Sequence, residues 1–333
     1  MKLNVGIIGL GIGEKHIVGY SNHPNCDVIA VCDFDKDKLN KIKYSYPDIQ
    51  IYENSLDIIE NDNIDILSIA SYDSYHYDQI VSGINNGKHI FVEKPMCLYK
   101  NEAYEIRNLL NNNTKIKFSS NLNLRTTPRF KKLKSLVKEN DFGDLYYIEC
   151  DYNSGRINKV IDGWRGDEEF HSVIYSSAIH TVDLMCWIID DLPSEVVSFG
   201  NKIATKDTKF KFNDFVISIM KYKNSIIGKV TANIGCVHPH FHRLIMYGTN
   251  STFINSLDRG ILYESRKNID KPKIMDESYP GNKKGDIILS FVDSIIKDIQ
   301  PIVSIDDVFN SMSICFAIEE SINKSISIPV EYI

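Results

Sequence analysis

Apolar residues open the chain in a short run from Leu3 to Ile8, and a second run spans Val28 to Val31. Between them lie Gly9-Leu10-Gly11-Ile12-Gly13 and a stretch of helical spacing, and the second run ends at Cys32-Asp33. The order predicts a strand, a glycine turn, a helix and a second strand that stops on an acid. The alternation continues with a helix from Lys36 to Tyr44, halted near Pro47, and a buried strand from Ile64 to Ala70. A helix from Tyr75 to Asn86 follows, with Gly87 placed to cap its C-terminus. His89 to Glu93 reads as the next strand, Asn101 to Leu110 as a helix, and Ile116 to Ser119 as a last strand. Repeated strand–helix units imply a parallel sheet with helices on both faces.

The pattern changes after about residue 120. Pro128 to Glu139 has helical spacing, and Leu145 to Asn153 alternates like a strand. Ser177 to Ile189 predicts a helix with an apolar face of Ile179, Val182, Met185, Cys186 and Ile189. Val196 to Gly200, Asp214 to Tyr222, Ile226 to Asn233, Phe241 to Gly248 and Thr252 to Asn255 read as consecutive strands, and short turns such as Lys223-Asn224 favour antiparallel pairing. Two helices, Asp286 to Asp298 and Ser304 to Lys324, close the chain. The expected organisation is a doubly wound parallel Rossmann domain over 1–120 and an α+β domain over 121–333 built on an open, mostly antiparallel sheet. Such a sheet packs helices on one face and leaves the other free. Ile217, Ile219, Val230 and Ile245 supply more apolar positions than one sheet face needs, which predicts a homodimer or homotetramer joined through the open sheet.

Composition narrows the class without naming a function. The 333 residues suffice for two cores, and 43% hydrophobic with 25% charged residues is ordinary for a globular protein. The net charge of -6 and the lack of a basic block argue against nucleic acid as a partner. No apolar stretch has the length of a membrane span, and the first strand starts too early for a cleavable leader. Seven scattered cysteines, with no C-x-x-C pair, suit reduced thiols in a cytoplasm rather than a disulfide framework or a zinc ribbon.

The glycine turn carries the first chemistry. Gly9 permits a tight turn, Gly11 lets the backbone approach a pyrophosphate, and the following helix N-terminus offers unpaired N–H groups to it. In the usual G-x-G-x-x-G spacing the third glycine falls at Glu14, so Gly13 comes one residue early, with Ile12 and Gly13 expected to supply the phosphate-facing amides. Asp33 follows at about the 20-residue distance at which an acid holds an adenosine ribose. Asp33, with Asp35, would repel a 2′-phosphate, and no Arg follows to hold one; the expected cofactor is NAD rather than NADP. The strand ends Gly9, Asp33, Ser71 and Glu93-Lys94 are expected to converge on one crevice. That position sets the Lys94 ammonium near a nicotinamide, with Pro95 fixing the exit of the chain.

Gly9-Leu10-Gly11, Asp33 and Glu93-Lys94-Pro95, preceded by Gly87-Lys88-His89, resemble the Gfo/Idh/MocA family of glucose–fructose oxidoreductase and inositol dehydrogenases. Asn121 to Arg125 with Pro128, Asp141 to Asp144, Gly163-Trp164-Arg165 and Ala178 to Leu184 extend the resemblance over nearly the whole chain. The resemblance implies a hydride transfer between a nicotinamide and a hydroxyl-bearing carbon of a sugar, sugar nucleotide or cyclitol. It implies Lys94 and His180 as the residues beside the reacting hydroxyl, His76 near the nicotinamide, and Asn121 on the domain-crossing segment at the cofactor. A histidine suits proton transfer near neutral pH, and a lysine charge suits a developing alkoxide. The family often has an Asp where this chain has Ser176; Tyr175 is then a substitute donor, and Asp183 a structural partner or a lesser proton-transfer group. Arg125, Arg156, Trp164 and Arg165 are candidates to line a substrate pocket, where arginines suit an anionic substrate. The same fold also serves reductases of non-sugar substrates and ligand-sensing transcriptional regulators. Finally, His238, His240 and His242 alternate along one stretch, but Pro239 argues for an edge or loop rather than a metal site.

Overall fold

The computed structural model describes residues 2–281 and 285–333. The chain forms two compact units, one of Met1–Asn123 and Lys283–Phe309 with Ile333, the other of Leu124–Asn282 and Asn310–Tyr332.

The first unit is a six-stranded sheet of β1 (Leu3–Ile8), β2 (Cys26–Cys32), β3 (Gln50–Tyr52), β4 (Ile66–Ile69), β5 (His89–Val92) and β6 (Phe118–Ser120). All pairs are parallel and the order is β3-β2-β1-β4-β5-β6, which reverses between β1 and β4. β4 is buried at every residue and β5 at all but His89, as a sheet covered on both faces requires. Helices Gly13–Ser21, Lys36–Ser45, His76–Asn85 and Lys100–Asn112 connect the strands. β3 and the one-turn Leu56–Ile59 helix are too short to show a period in sequence.

The expected division at residue 120 differs from the structure in one respect. The helix Asp286–Lys297 belongs to the first unit, not to the second. It packs on the Gly13–Ser21 helix, where a Cβ on Gly19 would lie 2.8 Å from Ile288 Cδ1 and 3.3 Å from the Gly285 backbone. Phe291 meets Phe91 of β5 at 5.6 Å between ring centroids.

The second unit is a nine-stranded sheet of β7 (Leu145–Asn153), β8 (Pro193–Asn201), β9 (Phe215–Tyr222), β10 (Ile227–Asn233), β11 (Phe241–Gly248), β12 (Thr252–Asn255), β13 (Gly260–Tyr263), β14 (Lys273–Met275) and β15 (Ile328–Pro329). The order is β14-β13-β12-β11-β7-β10-β9-β8-β15, antiparallel except where β7 meets β10. Ile148, Cys150, Val230, Ala232, Leu244 and Met246 are buried, and the Ile179–Ile189 helix packs over β7 and β10. Val230 points to the core, because it alternates with Lys229 and Thr231. The opposite face carries a charged centre: Lys229 Nζ is 2.9 Å from Asp151 and 3.3 Å from Glu149, and Arg243 Nη1 is 2.6 Å from Glu149. Ile217 and Ile219 flank that centre by cross-strand register with Thr231 and Lys229. Among the described residues no helix is long and apolar enough to cross a membrane.

Candidate functional site

In the first unit, Gly9 turns with a φ of +89°, and a Cβ there would lie 2.4 Å from the Ala70 carbonyl oxygen, so β4 leaves room only for glycine. A Cβ on Gly11 would meet nothing within 4 Å, which leaves the turn open to an approaching ligand. A Cβ on Gly13 would lie 3.0 Å from Ile7 Cγ2 and 3.3 Å from Ala70 Cβ. The early glycine therefore serves close helix–strand packing, the duty of the third glycine in the usual spacing. Ile12 is the N-cap and makes no side-chain cap, so the helix start keeps its amides for a ligand.

Asp33 is buried at the end of β2 beside this turn. Its carboxylate accepts from the Leu10 N–H at 2.7 Å and the Asp35 N–H at 2.9 Å, which fixes it against the glycine loop. Lys38 Nζ lies 3.4 Å from the same carboxylate, a cation that sequence reading left out. The open turn, its uncapped helix and the fixed acid fit a dinucleotide.

At the end of β5, Glu93 is buried and faces inward. It receives His16 Nε2 at 3.0 Å and Asn121 Nδ2 at 2.7 Å, both on Oε1. Burial would raise this carboxyl, but the His16 hydrogen bond and charge, the Lys94 charge and the Asn121 amide outweigh it and hold the group at about 2. Glu93 and Asn121, expected at the cofactor, are thus tied to each other. Lys94 is half-buried beside them. His76 lies close by. It is wholly buried, with Nδ1 donating to the Pro95 carbonyl at 2.7 Å and Nε2 3.2 Å from the Ser71 carbonyl. It braces the two loops at the strand ends. The Ser71 hydroxyl donates to Gln79 at 2.7 Å. Lys88 is equally structural: its ammonium donates to the Asn61 and Ile64 carbonyls at 2.7 and 2.9 Å.

In the second unit, a π-turn over Ile174–Ala178 leads into the Ile179–Ile189 helix, whose first turn holds His180. The His180 ring stacks on Tyr152 of β7, with centroids 6.5 Å apart and planes at 11°. Tyr152 also meets His240 and His242 edge-on, each at 5.1 Å. Burial raises the Tyr152 hydroxyl, offset in part by a hydrogen bond to Ser177 and by the charges of Arg156 and Arg165. Arg165 stacks on Trp164 at 4.3 Å. Arg156, Trp164 and Arg165 thus come together near Tyr152, which sequence reading missed because its alternation looked like plain strand.

Ser176, at the family's Asp position, lies 3.1 Å from His171 Nε2, another buried residue without a sequence signal. The expectation for Arg125 changes. Arg125 forms a two-pronged pair with Asp183, Nε to Oδ2 at 2.9 Å and Nη2 to Oδ1 at 2.6 Å, with side chains 5% and 1% exposed. Arg125 is therefore spent inside the core, and Asp183 is its structural partner. Tyr175 is buried, with its ring packed between Phe170 and Phe316 at 5.8 and 5.6 Å. His240 and His242 stand 4.9 Å apart, whereas His238 turns to Phe241. His242 Nδ1 lies 2.7 Å from the Tyr279 hydroxyl, and burial with the His240 charge pushes its imidazole down to about 3. Among the described residues no group of three or more His, Cys, Asp or Glu is arranged to hold a metal ion.

Comparison with known proteins places both units. Residues 3–121 match the oxidoreductase family Gfo/Idh/MocA, NAD-binding Rossmann fold, and residues 130–254 match the Gfo/Idh/MocA C-terminal domain. An uncharacterized oxidoreductase of Synechocystis is 25% identical over 62% of this chain and 56% of its own length. An inositol 2-dehydrogenase/D-chiro-inositol 3-dehydrogenase of Halalkalibacterium halodurans is 22% identical over 71% of this chain and 66% of its own length. The matched segment thus spans less than two thirds of either relative. The structure of a levoglucosan dehydrogenase in complex with NADH superposes with a TM-score of 0.89 at 17% identity, covering 100% of both chains, which shows the shared fold.

Proposed function

Because the chain belongs to the Gfo/Idh/MocA oxidoreductase family, we propose that it is an NAD-dependent dehydrogenase acting on a hydroxyl-bearing carbon of a sugar, sugar nucleotide or cyclitol. The observation that carries this reading is in the first unit: an open glycine turn after β1 and Glu93-Lys94-Pro95 directly after β5, in one sheet. Relatives named for inositol and levoglucosan support the substrate class. When bound, the nicotinamide supplies the hydride acceptor for oxidation and the donor for reduction.

The chain's own residues supply the rest. Gly11 and the amides at Ile12 and Gly13 receive the pyrophosphate, and Asp33 receives the adenosine ribose. The Lys94 ammonium stabilises the alkoxide as the hydroxyl proton leaves. A ring nitrogen of His180 accepts that proton in oxidation and returns it in reduction. The Tyr152 ring fixes the plane of this imidazole by stacking. Arg156 and Arg165 add positive charge near it, which suits a substrate bearing phosphate or carboxylate. The seven free thiols support a reducing compartment, hence a cytoplasmic site. A second copy is proposed to cover the free sheet face at Ile217 and Ile219, giving a homodimer or homotetramer.

The test is turnover of NAD with a panel of myo-inositol, levoglucosan, hexoses and sugar nucleotides. Lys94→Ala and His180→Ala are expected to lower kcat on the accepted substrate by roughly 100- to 10,000-fold. NADH affinity, read by fluorescence, stays within a few-fold. A His180→Ala protein with parental turnover removes that residue from the mechanism. A parent that binds NADH and sugar but turns over nothing in the panel overturns the dehydrogenase reading.

A further inference from the structure

Three aromatic side chains gather just beyond the carboxyl ends of β2 and β4, the two strands that flank β1. Phe34 meets Tyr72 edge to face, with centroids 5.6 Å apart and planes at 69°, and Tyr72 stacks on Tyr75 at 6.5 Å and 26°. Phe34 is 64% exposed and Tyr75 is 53% exposed. A single ring in water is ordinary, whereas a contiguous group of rings at the mouth of a crevice marks a surface made for a ligand.

Local backbone chemistry explains why the rings stand there. Asp33 Oδ1 accepts the Asp35 N–H at 2.9 Å, which closes an Asx turn with Phe34 at its tip. Asp35 in turn caps the Lys36–Ser45 helix by accepting from the Asp37 N–H at 3.0 Å. The first turn of that helix brings the Lys38 ammonium to 5.7 Å from the Phe34 centroid. After β4, the Ala70 N–H donates to the Ile8 carbonyl at 2.7 Å, so this loop lies against the glycine turn. The Tyr75 N–H then donates to the Tyr72 carbonyl at 2.9 Å, and the single 3-10 turn brings the two tyrosine rings to one side.

The turn that projects Phe34 is the one that fixes Asp33, the acid assigned to the adenosine ribose. A base joined to that ribose begins a few ångströms from the carboxylate, and Phe34 is the next residue along the chain. On the dinucleotide reading given above, we propose that Phe34 and Tyr72 form the adenine subsite, with Tyr75 backing Tyr72. The two rings make a corner. A planar base laid on one of them is nearly perpendicular to the other, so it gains a stacked contact and an edge contact together. The glycine turn holds the phosphates, Asp33 the sugar, and the aromatic corner the base.

The experiment divides the cofactor. ADP-ribose carries the adenosine and the pyrophosphate without nicotinamide, and reduced nicotinamide mononucleotide carries the other half without adenine. Binding of both, and of NADH, is measured by calorimetry, so turnover is not needed. Phe34→Ala and Tyr72→Ala are each expected to weaken NADH and ADP-ribose by the same factor, roughly 5- to 150-fold, and to leave the mononucleotide within about twofold. Phe34→Tyr and Tyr72→Phe keep a ring and are expected to bind as the parent does. Phe34→Leu keeps apolar bulk without a π-face and is expected to fall between. Phe34 is largely exposed, so its variants are expected to keep the parental melting temperature; Tyr72→Leu serves if Tyr72→Ala does not fold. Parental ADP-ribose affinity in the Phe34→Ala and Tyr72 variants overturns the proposal. So does an equal loss of mononucleotide binding, or a Phe34→Leu protein indistinguishable from the parent. A parent that binds neither NADH nor ADP-ribose sinks the dinucleotide reading itself.

Discussion

The Arg125–Asp183 pair separates a structural role from a substrate role at two positions that a sequence reader would place in the pocket. The two side chains are 5% and 1% exposed and share hydrogen bonds of 2.6 and 2.9 Å. Ser311 adds a contact to Asp183 at 3.3 Å, and Trp187 lies 5.9 Å from the guanidinium. Asp183→Asn keeps the shape but leaves the guanidinium without its counter-charge. Removing one partner of a buried pair costs roughly 3–5 kcal/mol, because the remaining charge is uncompensated. For a unit of this size that lowers Tm by roughly 6–20 °C. Replacing both residues, as Arg125→Met with Asp183→Leu, removes both charges and is expected to recover most of the loss. Urea unfolding of the parent, both single variants and the double forms a cycle that isolates the pair. The reasoning fails if each single variant costs less than about 1 kcal/mol while KM for the substrate rises sharply, for that is the signature of an arginine that binds substrate.

Two glycines are expected to part company. Gly11→Ala, with open space at its Cβ, leaves the melting temperature near the parent but weakens NADH binding; Gly9→Ala, blocked by the Ala70 carbonyl at 2.4 Å, lowers the melting temperature itself. Parental NADH affinity in Gly11→Ala contradicts the pyrophosphate assignment. NAD(H) is expected to bind more tightly than NADP(H), and Asp33→Ser to narrow the gap, with Lys38 then free to face a 2′-phosphate; titration of both cofactors decides, and tighter binding of NADP(H) by the parent refutes it. Glu93 binds its proton less tightly folded, at about 2, than unfolded, so its stabilising contribution is present above about pH 4.5 and fades as pH falls toward 2. Acid unfolding of Glu93→Gln is expected to lack that component, and an unchanged acid limb argues against it.

Much of the first unit was legible because its signals are local. A glycine turn between two apolar runs specifies strand, turn and helix within thirty residues. The second sheet was legible by alternation, but β13 and β14 are short strands without a clear period. What stayed hidden depends on partners far along the chain. Nothing beside His16 in sequence announces Ser68 or Glu93, which are 52 and 77 residues away. Nothing near Arg125 announces Asp183, so its charge looked available when it was already engaged. The face of each apolar residue was hidden for a different reason: apolar residues occupy both faces of β9, so hydrophobicity alone does not tell which side faces the helices.

The helix Asp286–Lys297 has a consequence for how the protein is made. It covers Gly19 and Phe91, yet it is encoded after nearly all of the second unit. A ribosome that has released residue 123 has produced the sheet, the glycine turn and Lys94, but not the helix that packs on Gly19 and Phe91. The nascent sheet must wait, with an apolar flank exposed, while some 160 further residues emerge; folding of the dinucleotide half is therefore completed after that of most of its neighbour, and a fragment ending near residue 120 is expected to aggregate rather than to bind a cofactor.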